Sequence, residues 1–157
     1  MFLHDVFSAR FIKVDLEAED KDEAFEEMVD HFCQAERSGA REEILEALRE
    51  REAKMSTGIR KGIAVPHGKV TALDQPYGVL GISRKGIDYD ALDGEPVYLL
   101  FMILAPPGDS ERHLRILKLL AELLENPQFY MELLSQKDPQ GAYGVICKYE
   151  DLFNTRK

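Results

Sequence analysis

The sequence predicts an α/β fold in which helices cover a single β-sheet. Segments with strand character alternate along the chain with segments whose apolar residues recur at helical spacing. The run at residues 97–104 is almost wholly apolar, which is typical of a strand buried on both faces in the middle of a sheet. Residues that favour turns and helix caps separate these segments, so the element boundaries have local causes.

The first third of the chain predicts one strand and two helices. Residues 11–16 partly alternate between apolar and polar side chains, which indicates a strand. Asp20 or Asp22 can cap a helix that continues to about residue 35, and the Ser-Gly pair at 38–39 ends it. Residues 41–53 predict a second helix. The side chains expected to face inward from the two helices are Phe25, Met28, Val29, Phe32, Ile44, Leu45 and Leu48.

The middle of the chain predicts short segments punctuated by glycines, followed by two longer strands. The apolar run 63–65 lies among the glycines. Residues 77–83 and 97–104 are the longer strands, and Asp93 with Gly94 indicates a turn before the second of them.

The last third of the chain predicts three helices. Pro-Pro-Gly at 106–108 breaks the chain, after which Ser110 can cap a helix that runs to about residue 125. Asn126 before Pro127 and Asp138 before Pro139 each join a capping residue to a proline, an arrangement that begins a helix. The final helix is expected to end near residue 153.

Composition favours one soluble domain over residues 1–157. The chain is 45% apolar and 31% charged, and it shows no internal repeat or low-complexity linker. The run 97–105 is far shorter than the roughly 20 residues that a membrane-spanning helix needs, and no secretory signal is visible. Cys33 and Cys147 do not suggest a disulfide framework, so we expect a cytoplasmic protein.

The net charge of −9 argues against a nucleic-acid binder, because binding phosphates requires clustered lysines and arginines. An acidic surface instead favours basic partners and solubility.

The strongest candidate for a catalytic site is the segment 62–69, Gly-Ile-Ala-Val-Pro-His-Gly-Lys. It places His67 at the end of a buried strand, between a proline that restricts the backbone and a glycine that leaves the side chain accessible. A neutral imidazole held in this way can attack phosphorus and release the phosphoryl group again. The alternative is a turn histidine without chemistry.

His113 is a second candidate, because it falls in the first turn of the helix predicted from Ser110. His113 shares one helix face with Leu117, Leu120 and Leu124, away from the charged stripe Glu111, Arg115, Lys118, Glu122 and Glu125. The positive end of a helix disfavours the imidazolium and offers backbone N–H groups to an anion. The alternative is a core histidine whose hydrogen bonds are satisfied.

Arg51 and the hydroxyls of Ser56 and Thr57 complete the candidate set. An arginine fork matches phosphate oxygens and can stabilise transition-state charge, and the two hydroxyls lie on a loop before Gly58. The alternative for Arg51 is a surface ion pair with Glu42 or Glu46.

Two other possible sites, a nucleotide-binding P-loop and a structural zinc site, are not supported by the residue spacing. Residues 62–69 superficially resemble a P-loop, but five residues separate the glycines and Val70 replaces the required hydroxyl. His31, Cys33 and Cys147 lack the paired spacing of structural zinc ligands, so we expect neither a metal nor another cofactor.

These motifs together resemble a known family. Arg51-Glu52, Ser56-Thr57-Gly58 and residues 62–67 are similar to the signature of mannitol/fructose-type enzyme IIA domains of the phosphoenolpyruvate-dependent phosphotransferase system. That family includes the stand-alone nitrogen-regulatory enzyme IIA proteins. The resemblance continues through residues 92–97 and through His113 and Leu114, and covers roughly residues 5 to 150.

The resemblance implies a mixed sheet flanked by helices and no metal. It implies that His67 accepts a phosphoryl group on Nε2 from HPr or its nitrogen-branch counterpart. His113 matches the histidine that helps to hold the group, Arg51 matches a supporting arginine, and Ser56 and Thr57 match the signature's hydroxyl pair.

Three functional hypotheses follow. A regulatory protein would bind its targets differently in its phosphorylated and free states, and this is the hypothesis that we favour. A sugar-transport subunit would pass phosphate to a IIB partner. An interaction module would keep the fold without phosphorylation. A transcription-regulator domain is disfavoured, because the chain contains no DNA-binding segment.

Overall fold

A mixed sheet of six strands runs through the molecule, with helices packed on both of its faces. The computed structural model describes the backbone of residues 2–155 and the side chains of residues 2–58 and 61–155. The strands are β1 (Ile12–Lys13), β2 (Gly58–Arg60), β3 (Ile63–Ala64), β4 (His67–Lys69), β5 (Tyr77–Ile87) and β6 (Val97–Ala105). The helices are α1 (Leu3–Val6), α2 (Lys21–Glu36), α3 (Arg41–Lys54), α4 (Ser110–Leu124), α5 (Pro127–Ser135) and α6 (Pro139–Thr155).

Strand β6 is the centre of the sheet, as its apolar sequence predicts. One edge of β6 pairs with β5 in antiparallel register, and the other edge pairs in parallel first with β3 and then with β4. The main strand order is β1-β5-β6-β3-β2. The predicted sheet covered by helices, and the mixed pairing that the family resemblance implies, are both confirmed.

Alternate residues of β6 enter two separate cores, because successive side chains of a strand point to opposite faces. Leu100, Met102 and Leu104 pack with α2 and α3. Leu99, Phe101 and Ile103 pack with α1, α4, α5 and α6. All six residues are at most 1% exposed, so the sheet is buried on both sides along this strand.

The helix boundaries follow the predicted caps in most places. Asp20 caps α2 by accepting a hydrogen bond from the Glu23 backbone at 2.9 Å. Asn126 and Asp138 likewise accept hydrogen bonds from the first turns of α5 and α6, each of which begins at a proline.

Three predicted boundaries need correction. The predicted strand 11–16 shortens to Ile12–Lys13, because a 3₁₀ turn at Ala9–Phe11 takes up its first residue and the chain bends at residue 14. The strand predicted to end at residue 83 continues to Ile87. Ser110 is the first residue of α4 rather than its cap, since the N-cap position belongs to Asp109.

All six described strands belong to one sheet. A single domain over residues 1–157 stays a prediction. In residues 2–155, no helix combines the length and the apolar character needed to cross a membrane.

Candidate functional site

His67 lies at the end of the sheet where β6 gives way to α4. Strand β4 pairs in parallel with the last residues of β6, with His67 opposite Ile103. The chain leaves β6 at Ala105 and begins α4 at Ser110, so the first turn of α4 reaches the same end of the sheet. The topology thus brings two distant parts of the sequence together.

Helix α3 approaches β4 closely at Gly68. A β-carbon added at Gly68 would lie 3.1 Å from the Ala47 β-carbon, which leaves no room for a larger residue without movement. This close contact places Arg51, one turn further along α3, against the His67 ring.

Two hydrogen bonds define the state of the His67 ring. Its Nδ1 lies 3.0 Å from the Val65 carbonyl oxygen, and its Nε2 lies 3.1 Å from Nε of Arg51. A carbonyl only accepts, so Nδ1 carries the proton and donates to Val65. The Arg51 N–H donates to Nε2, which therefore holds its lone pair toward Arg51.

The surroundings also keep His67 neutral. Burial lowers the pKa of the His67 imidazole below its ordinary value, and the positive charge of Arg51 lowers it further. The hydrogen bond to Val65 and the Glu52 carboxylate act in the opposite direction, but the net shift is downward. At neutral pH the ring therefore keeps the free lone pair that a nucleophile needs.

His113 packs against His67 from the first turn of α4. The ring centroids are 5.3 Å apart, with the planes at 63°. His113 is only 7% exposed, and burial lowers the pKa of its imidazole to about 4, with smaller contributions in the same direction from the neighbouring His67 ring and the Lys69 ammonium. The Nδ1 of His113 is buried without a hydrogen-bond partner among the side chains and backbone groups that the structure describes. The structure thus brings His67, His113 and Arg51 together, as the sequence predicts.

An open cavity of about 620 Å³ lies beside the two histidines. Its lining residues are Ala47, Glu50, Arg51, Lys54, His67, Gly68, Lys69, Ser110, His113, Leu114 and Leu117. Three cationic side chains and the N-terminal residue of α4 give the cavity groups that attract an anion. The Asp109 carboxylate, one residue before α4, forms an ion pair with Arg112.

Arg51 does not form the alternative surface ion pair. Its Nη1 donates to the Met55 carbonyl at 2.9 Å while its Nε donates to His67. Glu42, one of the alternative partners, is instead paired with Arg41. The second hydrogen bond fixes the guanidinium across the last turn of α3.

The two predicted hydroxyls lie outside the cavity lining. Ser56 is half-buried, and its Oγ accepts a hydrogen bond from the Gly58 N–H at 3.2 Å. Thr57 is 4% exposed and donates its hydroxyl hydrogen to Glu52. A phosphate-binding role for Ser56 and Thr57 stays a prediction.

Glu52 is a buried residue that sequence reasoning missed. It is 8% exposed although it follows Arg51 in a strongly charged stretch, Arg-Glu-Arg-Glu-Ala-Lys, which reads as a solvated helix face. Its helical spacing is the signal that could have indicated burial, because Glu52 follows Leu45 and Leu48 on the inward face of α3 whereas Glu50 does not.

Within residues 2–155, no three His, Cys, Asp or Glu side chains are grouped to hold a metal ion.

The sequence matches a family model and curated relatives along most of its length. Residues 5–149 match the family described as "Phosphoenolpyruvate-dependent sugar phosphotransferase system, EIIA 2". The chain is 38% identical over 128 residues to a fructose-specific EIIA component of Haloferax volcanii, covering 82% of this chain and 83% of the relative. It is 32% identical over 148 residues to a nitrogen regulatory protein of Bradyrhizobium diazoefficiens, covering 94% and 95%.

A longer relative contains a region similar to this chain. A fructose-specific EIIABC component of Bacillus subtilis is 33% identical over 150 residues, which make up 96% of this chain and 24% of that protein. This chain therefore spans about a quarter of the relative.

Solved structures show the same fold. The nitrogen regulatory protein IIA-Ntr of Neisseria meningitidis superposes with a TM-score of 0.84 at 28% identity, covering 92% of this chain and 98% of that one. The mannitol IIA structure of Escherichia coli superposes with a TM-score of 0.75 at 18% identity, covering 89% and 98%. With the family model matched over residues 5–149, the chain belongs to the EIIA 2 family of the phosphoenolpyruvate-dependent sugar phosphotransferase system.

Proposed function

We propose that this protein carries a phosphoryl group on Nε2 of His67. The donor is HPr or the nitrogen-branch HPr-like phosphocarrier. In the regulatory role a target protein binds the phosphorylated and free states differently, and in the transport role a IIB domain accepts the phosphoryl group. The observation that carries the proposal is the tautomer of His67. Its Nδ1–H points to the Val65 carbonyl, and its Nε2 lone pair lies beside a cationic cavity.

The reaction is a transfer between two imidazoles. The Nε2 lone pair of His67 attacks the phosphorus atom of the donor's phosphohistidine, and a new N–P bond forms. The donor's N–P bond breaks, and its electron pair returns to the donor imidazole. The Nδ1 proton of His67 stays in its hydrogen bond to Val65, where the carbonyl dipole stabilises the positive charge that develops on the ring.

Arg51 and His113 hold the transferring group. Arg51 gives up its hydrogen bond to Nε2 as the attack begins, so its guanidinium is then free to bind phosphoryl oxygens beside the same nitrogen. His113 stays uncharged because of its low pKa and can donate a neutral N–H hydrogen bond to the phosphoryl group. Such a reaction depends mainly on positioning and on charge stabilisation, which these residues supply.

For the downstream role we favour regulation of a target protein. The Bradyrhizobium relative, named as a nitrogen regulatory protein, matches this chain over nearly the full length of both proteins. Among the two structures compared above, the IIA-Ntr structure also superposes better than mannitol IIA. The alternative is a fructose-transport subunit, in line with the name of the Haloferax relative. Either role places the protein in the cytoplasm, as the two unpaired cysteines predict.

The experiment that tests the proposal is intact-mass spectrometry after incubation with phosphoenolpyruvate, enzyme I and either phosphocarrier. Kept at neutral to alkaline pH, the protein should gain one acid-labile phosphate. The adduct should be absent from His67→Ala and present in His4→Gln, a control on a histidine that contacts Glu150 instead. Absence of the adduct with both donors would favour a phosphorylation-independent binding module.

A further inference from the structure

The buried carboxylate of Glu52 lies close to the His67 site and binds the loop that follows α3. Glu52 Oε2 accepts a hydrogen bond from the Thr57 backbone N–H at 2.8 Å, and its Oε1 accepts one from the Thr57 hydroxyl at 2.7 Å. Because the hydroxyl hydrogen is used on Glu52, Tyr89 donates its own hydroxyl hydrogen to Thr57 Oγ1 at 2.7 Å. Lys21 approaches the carboxylate to 3.2 Å and supplies the opposite charge.

The backbone of Thr57 connects this cluster to the His67 ring. The Thr57 carbonyl accepts a hydrogen bond from the Val65 N–H at 3.0 Å. The Val65 carbonyl in turn accepts the proton of His67 Nδ1 at 3.0 Å. Val65, whose carbonyl group holds the His67 tautomer, is therefore itself held through its N–H by Thr57, the residue that Glu52 anchors.

The loop closed by Glu52 and Thr57 also helps to position Arg51. Arg51 and Glu52 are consecutive in α3 and point in different directions, Arg51 to Nε2 of His67 and Glu52 to Thr57. Arg51 also donates to the Met55 carbonyl within the short loop that Glu52 and Thr57 close. Both ring nitrogens of His67 are thus fixed by groups attached to one closed loop.

A buried charge at this place needs a reason beyond stability. Removing a carboxylate from water is costly even when it is paired, and an apolar side chain of similar size often serves a core as well. Glu52 nevertheless lies buried among Thr57, Tyr89 and Lys21, one residue from the arginine that touches His67. A role in holding the site explains why a charged group occupies this position.

From these contacts we infer that Glu52 and Thr57 are positioning residues for His67. They act by holding Val65 so that Nδ1 keeps its proton and Nε2 stays free to accept phosphate. The inference rests on the proposed role of His67 as phosphoryl acceptor. It gives Thr57 a different role from the phosphate ligand that the sequence suggests, because its hydroxyl points away from the cavity to Glu52 and Tyr89.

The test uses Thr57→Val, which removes the hydroxyl but keeps the size of the side chain and the backbone groups. Loosening of Val65 should lower the phosphoryl-transfer rate constant about tenfold, because small displacements of reacting groups are costly, while KM for the donor phosphocarrier stays unchanged. In the unphosphorylated variant, nitrogen NMR of labelled histidine should show that His67 partly shifts its proton from Nδ1 to Nε2. Thr57→Ser restores the hydroxyl and should recover both properties.

Ser83→Ala is the matched control, because Ser83 also carries a fully buried hydroxyl, which instead accepts a hydrogen bond from the Gly86 N–H at 3.0 Å within β5. It should change neither the transfer rate nor the His67 tautomer. If Thr57→Val does not fold, Glu52→Gln is measured in its place, since it keeps the side-chain size and one acceptor oxygen.

The two readouts separate the possible results. A slower rate with an unchanged His67 tautomer would overturn the inference in favour of direct contact between Thr57 and the phosphoryl group. An unchanged rate and an unchanged tautomer would also overturn it. A shifted tautomer supports positioning, even if wild-type His67 accepts no phosphate. In that case the proposed function fails while the positioning of the ring stands.

Discussion

His67 and His113 carry the same imidazole, but their ring nitrogens have different surroundings. His67 donates from Nδ1 to a carbonyl and receives an arginine N–H at Nε2. His113 is more deeply buried, with Nδ1 lacking a partner among the described residues. Both pKa values are lowered, chiefly by burial, so both rings are neutral at pH 7. One is prepared to act as a nucleophile and the other to donate a hydrogen bond.

The low pKa of His113 predicts a pH-dependent stability. The ordinary histidine pKa of 6.5 falls to about 4 in the folded protein, so the unfolded chain binds more protons between these values. The free energy of unfolding should therefore fall as pH falls through this window. Between about pH 7.5 and about pH 4.5, the wild type should lose about 2 kcal/mol more than His113→Gln in urea titrations. Equal losses in both proteins would show that His113 titrates normally.

Arg51 should contribute to transfer through its fork and not only through its charge. Arg51→Lys keeps the charge but loses the Nε–H that reaches His67 and the paired donors suited to phosphoryl oxygens. We expect the phosphoryl-transfer rate to fall about tenfold, measured by rapid quench from the labelled phosphocarrier. The control is Arg115→Lys, whose arginine pairs with Glu111 on the surface of α4. A rate equal to that of the control would mean that charge alone suffices.

At the scale of elements, the approach of α3 to β4 sets the distance between Arg51 and His67. Gly68 makes this approach possible, because any β-carbon there would press against the α3 backbone at Ala47 and Leu48. The helix and the strand come from neighbouring segments of the chain, and the loop between them is closed by the contacts of Glu52. Their separation is therefore determined by packing on one side and by hydrogen bonds on the other.

Gly68→Ala should force the two elements apart. Overpacking should destabilise the protein by about 1–3 kcal/mol in denaturant unfolding, and the phosphoryl-transfer rate should fall because Arg51 moves away from Nε2. Gly144→Ala is the matched control, since a β-carbon there meets only open space on α6 and should raise stability by about 0.5–1 kcal/mol. A Gly68→Ala protein with wild-type stability and rate would contradict the close packing described above.

A second buried carboxylate joins the two ends of the described chain. Glu150 in α6 is 2% exposed and accepts hydrogen bonds from the backbone N–H groups of Leu3 and His4. It also contacts the His4 ring at 2.7 Å. These contacts hold α1 against α6 on the face of the sheet that also carries α4.

Glu150→Gln should weaken this junction without affecting phosphoryl transfer. The amide loses one acceptor for the α1 backbone, so the free energy of unfolding should fall by about 1–3 kcal/mol. His67 should still be phosphorylated at the wild-type rate, because Glu150 contacts α1 and not the His67 site. Asp151→Asn, an exposed neighbour, should shift stability by less than about 0.5 kcal/mol. Similar stabilities for the two variants would contradict the role given to Glu150.

Much of this architecture can be predicted from local sequence. Asp20, Asn126 and Asp138 mark helix starts because capping depends on a few adjacent residues, and β6 is recognised by its continuous apolar run. The pairing of β6 with β3 and β4 on one edge has no local signature. The short β1 is likewise set by the tertiary contacts around Phe11, whose ring packs against Phe32 and Tyr77.

The candidate site likewise contains some residues that the sequence predicts and others whose positions depend on tertiary contacts. His67, Arg51 and His113 are identified together by their resemblance to the family signature, whereas each of them alone also fits a purely structural role. The spacing of Glu52 from Leu45 and Leu48 indicates the buried face of α3, but a glutamate in a charged stretch is normally solvated, and only the folded loop shows that Glu52 meets Thr57. The position of Thr57 depends on the same contact.

NMR of the phosphorylated, histidine-labelled protein shows directly which nitrogen carries the phosphoryl group. We expect phosphorus–nitrogen coupling at Nε2 of His67, with Nδ1 still protonated and the His113 nitrogens uncoupled. Coupling at Nδ1 of His67, or at either nitrogen of His113, would rule out Nε2 of His67 as the acceptor.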